Sequence, residues 1–313
     1  MRRNFFILFF LCYFLAKAQD VHYSQFDKTS SLLNPSLLGI QQQDYEIQLQ
    51  RRSQWSSITT PFKTFSLAIN AKNIYKKISL SATLLNDIAG DSRFSTDGIS
   101  LSFSKSFNTQ DNVFAFGIQS SFYQRSVNYD ELIFFENESV QNTRFNFLDL
   151  SIGVSNYKAI DSERSFLIAL SSFHLNKPKQ SLTSSGTATL NQKHVFYAKY
   201  YSNLNLKIKT TPAIYASSQG NDKEFVIGSG MSYNINDEFD LKTGGYYRIK
   251  DAFFITLGIR KTNLEATVSY DINTSSLAEA SNSFGGFEFS IIYGWSIIKE
   301  IKEPIQLVCP SYL

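Results

Sequence analysis

Ile78-Ser79-Leu80-Ser81-Ala82-Thr83-Leu84 sets an apolar side chain at every even position and a hydroxyl at every odd one. Successive side chains of an extended strand point to opposite faces, so this stretch has one greasy face and one wet face. The alternation returns in Ile99-Ser100-Leu101-Ser102-Phe103-Ser104 and in Leu148-Asp149-Leu150-Ser151-Ile152-Gly153-Val154. Working outward, segments of this kind are expected at 45–51, 62–71, 77–85, 97–107, 113–123, 147–157, 166–174, 193–203, 206–218, 223–233, 239–248, 252–260, 264–271 and 285–294. That is an all-β chain of about 14 antiparallel strands. Alternation alone also suits a soluble sandwich, so the choice between sandwich and membrane barrel falls to the rest of the chain.

The links supply one argument. Outer-membrane barrels have short periplasmic turns and longer external loops. Here the longer links are 52–61, 86–96, 124–146, 175–192 and 272–284, and they alternate with short ones at 71–76, 108–112, 158–164, 203–205, 234–238 and 261–263. Two late external links, 219–222 and 249–251, are short. Composition supplies another argument. Phe (28) and Tyr (17) are abundant while mean hydropathy is −0.17, which suits lipid-facing strands and aromatic girdles around a polar lumen. After residue 18 no apolar run is long enough for a spanning helix.

Residues 1–18 read as a signal peptide: Arg2 and Arg3, the apolar run Phe5 to Leu15, and Ala16-Lys17-Ala18 before Gln19. Cleavage near Ala18/Gln19 removes Arg2, Arg3 and Lys17, so the formal charge of +3 becomes 3 − 3 = 0. A neutral mature chain gives nucleic acid no electrostatic footing. Cys12 leaves with the peptide, and Cys309 then has no intrachain partner for a disulfide. The expected organisation is a periplasmic N-terminal segment over 19–44, a transmembrane β-barrel over 45–294 and a periplasmic C-terminal tail over 295–313.

Charges on the strands fall mostly on one alternation class or at the ends, as at Lys63, Lys105, Asp149, Lys199, Lys242, Glu265 and Glu288. A Lys or Arg facing lipid at the midplane costs about 2–4 kcal/mol, so these are expected to face the lumen or to snorkel at an interface. Lys105, Asp149 and Glu288 are assigned to the lumen. His22, His174 and His194 lie in no metal-binding or catalytic motif, and no serine elbow, phosphate loop or dinucleotide fingerprint is present. No catalytic residue, metal or cofactor is expected. A porin-like small-solute channel and an outer-membrane hydrolase stand as alternative readings.

The two ends are less generic. Gln19-Asp20-Val21-His22-Tyr23-Ser24-Gln25-Phe26, Leu33-Asn34-Pro35-Ser36 with Gly39, and Arg51-Arg52-Ser53-Gln54-Trp55 stand at the front. Tyr246-Tyr247-Arg248, Ser269-Tyr270-Asp271, Ser275-Ser276-Leu277, Gly285-Gly286-Phe287-Glu288 and Cys309-Pro310 follow toward the end, with Phe173-His174-Leu175-Asn176-Lys177-Pro178 between. In order and spacing this resembles the PorP/SprF family of type IX secretion proteins of Bacteroidetes. Members often end with a basic residue after Cys-Pro, where this chain has Ser311.

The resemblance implies a fourteen-stranded outer-membrane barrel that serves secretion and gliding motility rather than catalysing a reaction. Its implied partners are a large secreted adhesin carrying a type B C-terminal domain, the periplasmic ring components of the machine, and outer-membrane lipid. The candidate contact residues are Gln25, Phe26, Asn34, Pro35, Gly39, Arg51, Gln54, Trp55, Tyr270, Asp271, Gly285, Gly286, Glu288, Cys309 and Pro310. Each also has an architectural reading as a turn, a strand cap or a girdle residue. Tyr129, Phe134 and Phe135, interleaved with acids in the longest external link, form a candidate docking loop.

Overall fold

A computed structural model describes residues 20–54, 60–90, 93–129, 143–180, 187–275 and 284–297. Fourteen antiparallel strands close into one barrel in sequence order: β1 Tyr45–Gln54, β2 Phe62–Tyr75, β3 Ile78–Ala89, β4 Phe94–Asn108, β5 Asn112–Val127, β6 Thr143–Ala159, β7 Arg164–Phe173, β8 Lys193–Asn203, β9 Ile208–Gln219, β10 Asp222–Asn234, β11 Phe239–Arg248, β12 Ala252–Lys261, β13 Leu264–Asn273 and β14 Phe284–Trp295. The β1–β14 pairing, Tyr45↔Trp295 through Gln54↔Gly286, completes the ring and leaves no open edge.

The expected strands are all present, several of them longer than the alternation indicated. Asn86 pairs with Asp97, and Gln124 with Asn146, because polar residues at strand ends continue the backbone ladder where the apolar signal stops. Links 86–96 and 124–146 therefore shrink. At one mouth the hairpin turns are tight, as at Lys76 and Lys77, both in the left-handed region (φ 43 and 63°). In outer-membrane barrels the mouth with tight turns is the periplasmic one and the mouth with long loops the external one.

Alternation becomes two chemically distinct faces. On β3 and β4, Leu80, Leu84, Ile99, Leu101 and Phe103 are exposed on the outer wall, while Ser79, Ser81, Thr83, Ser100, Ser102 and Ser104 are buried inside. Among the strand charges, Asp149, Lys199, Lys242, Glu265 and Glu288 take the inward positions. Lys105 does not. It shares the parity of Leu101 and Phe103 on the outer wall, and its ammonium bends to the turn-mouth carbonyl of Lys76, a snorkelling position.

The chain before β1 is a one-turn helix α1, Ser30–Leu33, followed by a 3-10 turn, Pro35–Gly39. It precedes the barrel as expected, but it runs through the lumen rather than lying outside the periplasmic mouth. Among the described residues no helix is long and apolar enough to cross a membrane.

Candidate functional site

At the loop mouth Asp20 N donates to Gln219 Oε1 at 3.3 Å, and at the turn mouth Asp44 N donates to Ser296 Oγ at 3.2 Å. Between these points the chain descends the whole interior. Each level of the wall supplies a different chemistry to hold it.

Nearest the loop mouth is a latch. His174 follows β7 in the left-handed region (φ 59°), which turns its ring inward. Nδ1 lies 3.0 Å from Asp149 Oδ1 and Nε2 2.5 Å from Asp20 Oδ2. Burial opposes charge on the ring, yet the hydrogen bonds and the charges of both carboxylates outweigh it and raise the His174 pKa to about 9. Burial likewise opposes charge on Asp20. The hydrogen bond and charge of His174, with the charges of Lys193 and Arg125, hold its carboxyl well below the usual range. Asn176 seals the adjacent wall: its side chain accepts from Leu150 N at 3.1 Å and donates to Leu148 O at 2.7 Å, standing in for a strand where β6 outruns β7.

Below lies a charge cluster centred on Glu288. Its carboxylate accepts four hydrogen bonds, from Ser24 N (2.9 Å), Gln25 N (2.9 Å), Gln50 Nε2 (2.6 Å) and Arg52 Nη1 (2.8 Å). Arg52 also reaches Asp271 Oδ2 at 2.8 Å, and Ser24 Oγ donates to that same oxygen at 2.7 Å. Arg248 donates to Ser24 Oγ at 2.9 Å and pairs with Glu224 at 2.8 Å. Arg52, Asp271 and Glu288 are at most 2% exposed. Arg248 also pairs with Asp251 at 3.0 Å, so two guanidinium groups face four carboxylates, which makes so dry a site tolerable.

Phe26 then stacks on Tyr215 (centroids 5.1 Å apart), with Tyr197 and Tyr246 edge-on. Asp27 pairs with Lys199 at 2.6 Å, and Lys28 with Glu265 at 2.5 Å.

Toward the turn mouth shape replaces charge. Asn34 Oδ1 caps the 3-10 turn by accepting from Ser36 N at 2.9 Å, and Asn34 Nδ2 donates to Leu170 O at 2.8 Å. Pro35 starts the turn, where its missing N–H costs nothing. The wall is hollowed to receive it by Gly117 and Gly153, which sit directly opposite each other on β5 and β6. A Cβ on Gly153 would lie 2.0 Å from Asn34 Oδ1, and one on Gly117 2.4 Å from the Pro35 carbonyl carbon.

The comparison with protein-family models decides the family: the type IX secretion system membrane protein PorP/SprF model matches residues 15–293. The chain belongs to the PorP/SprF family. No curated protein matches it. In fold this PorP/SprF protein is similar to the Pseudomonas putida toluene transporter TodX, at 10% identity, TM-score 0.52, covering 84% of this chain and 92% of that one. It is also similar to the Ralstonia pickettii toluene transporter TbuX, at 10% identity, TM-score 0.53, covering 87% and 94%. At these identities the likeness concerns the barrel alone.

The described candidate residues divide three ways. Gln25, Phe26, Asn34, Pro35 and Gly39 belong to the PorP/SprF plug, and Asp271 and Glu288 are its anchors in the wall. Arg51 and Tyr270 are exposed on the outer wall. Gln54, Gly285 and Gly286 sit at the β1–β14 seam near the loop mouth, where a Cβ on Gly285 would lie 2.7 Å from Asp271 O. Trp55, Phe134, Phe135, Cys309 and Pro310 lie outside the described residues, and Tyr129 is the last described residue before them in the candidate docking loop. Arg52, Ser24, Arg248 and the latch of Asp20, His174 and Asp149 were not among the candidates. For Arg52 a signal existed: Ile47, Leu49 and Arg51 share the greasy parity, so Gln48, Gln50 and Arg52 must point inward. Among the described residues no group of three or more His, Cys, Asp or Glu is arranged to hold a metal ion.

Proposed function

We propose that this barrel is a non-enzymatic docking component of type IX secretion in the outer membrane. On this reading it receives a large adhesin through the adhesin's type B C-terminal domain at the loop mouth, assists its export or surface attachment in gliding, and meets the periplasmic ring at the turn mouth. Family membership supports the system. The observation that carries the docking reading is the lumen, which the protein's own N-terminal segment fills from Asp20 at one mouth to Asp44 at the other. A filled lumen leaves the mouths, rather than the bore, as working surfaces. The porin-like alternative needs a bore, and the ion pairs of Asp27 and Lys28 and the hydrogen bond from Gln25 N to Glu288 stand in its way.

The test deletes Tyr129 to Glu138 and follows surface display of a fusion carrying a type B C-terminal domain. Display is expected to fall to background while the barrel assembles at normal levels. Normal display, or steady single-channel conductance of the wild-type protein in planar bilayers, overturns the reading.

A further inference from the structure

The outer wall carries a groove of about 780 Å³ across β6 to β10, on the half of the barrel toward the loop mouth. One rung of outward side chains runs Leu170↔Phe196↔Ala216↔Phe225 across four neighbouring strands. The inward neighbours Ala169, Tyr197 and Val226 are at most 2% exposed, whereas Leu170, Phe196 and Phe225 are between 38% and 50% exposed. Ala216 is the small member of the rung. It forms a floor between two phenyl walls, and a linear hydrocarbon chain would lie there.

The next rung toward the loop mouth changes character to Ser172↔His194↔Ser218↔Lys223. Ser172 Oγ and His194 Nδ1 are 3.1 Å apart, which fixes the ring and leaves Nε2 free of that contact. Lys250 joins this end from the β11–β12 turn, where Ile249 N bonds to Phe225 O at 2.9 Å and so holds the turn beside the phenyl wall. Lys223 and Lys250 are both exposed and pair with no described carboxylate. Glu224, between them, faces inward and pairs with Arg248.

We propose that this groove is a binding site for one anionic, phosphate-bearing lipid of the outer leaflet. An acyl chain lies over Ala216 between Phe196 and Phe225, and the head-group phosphate is held by Lys223 and Lys250 with His194 at its side. The apolar floor and the cationic rim occur in the order, and at the side of the membrane, that such a lipid presents them. Interfacial lysines favour anionic lipid electrostatically, and a cradle adds register to that attraction.

The experiment uses the purified full chain in nanodiscs of phosphatidylcholine doped with either bisphosphorylated lipid A or phosphatidylglycerol, and counts retained lipid by native mass spectrometry. The wild type is expected to retain the anionic lipid over zwitterionic phosphatidylcholine by about 10- to 30-fold, the preference two interfacial lysines confer. Lys223→Gln with Lys250→Gln should abolish the preference. Ala216→Phe should remove retention altogether while leaving the heat-dependent gel shift unchanged. Equal retention of zwitterionic phosphatidylcholine and the anionic lipids, or a preference that survives the double lysine variant, overturns the site and leaves ordinary boundary lipid in the groove.

Discussion

Arg52 and Glu288 stand directly opposite each other across the pairing that closes the barrel, and their side chains join at 2.8 Å inside the lumen. The strand pair that closes the wall also clamps the plug, because the other bonds to Glu288 come from Ser24 N, Gln25 N and Gln50. Removing one partner of a buried pair strands the other charge and costs about 3–5 kcal/mol. Arg52→Met and Glu288→Gln should each lower the temperature of the heat-dependent gel shift. Glu288→Gln should be the worse, since an amide N–H₂ would face donors. The Arg52→Met, Glu288→Gln double variant should lose less than the sum of the single losses. Unchanged shift temperatures in both single variants would mean the pair does not hold the seam.

Shape at the other end gives a separate handle. Gly153→Leu and Gly117→Leu place side chains where Asn34 and Pro35 now sit, while the ladder bonds of β5 and β6 need no side chain. These variants should assemble as barrels with the plug displaced and should conduct ions in planar bilayers where the wild type is silent. Variants that assemble yet remain silent would show that the plug is not what closes the lumen.

The wall was legible in the sequence because a two-residue period survives along every strand and needs no knowledge of distant contacts. Lys105 was misplaced although Leu101 and Phe103 on its own parity indicated the outer wall. The midplane cost of a lipid-facing charge does not apply there, because the residue sits beside the turn at Lys76. The plug was not legible. Its chain has no period, and its bonds span separations such as the 264 residues between Ser24 and Glu288. Asn34-Pro35 could be read as a turn, but nothing local says that a wall glycine 119 positions later receives it (153 − 34 = 119). His174 looked inert because its two carboxylate partners come from the lead-in and from β6.

Threading also makes a topological prediction. With Asp20 at the loop mouth, Val21→Cys in a Cys309→Ser background should react on intact cells with a membrane-impermeant maleimide. Asp44→Cys, at the turn mouth, should react only after the outer membrane is permeabilised. The reverse pattern would invert the orientation of the whole barrel.

The latch makes the external end of the plug sensitive to pH, with a sign that follows from the shifts. His174 is raised from 6.5 to about 9, so its contribution is complete below pH 6.5 and is lost as pH rises through about 9. Asp20 is lowered from 3.8, so its contribution is present above that value and is lost only in acid. The latch is therefore tightest between pH 4 and 6.5, and alkali releases it. A shift of this size corresponds to about 3 kcal/mol, shared between the two carboxylates. Maleimide labelling of Val21→Cys should quicken between pH 6.5 and 9 after correction for thiol ionisation with a free-cysteine standard. His174→Gln keeps hydrogen-bonding capacity without the titrating charge, so its labelling should be faster at pH 6 and flat across the same window. An equal alkaline rise in His174→Gln would assign the release to a group other than the latch.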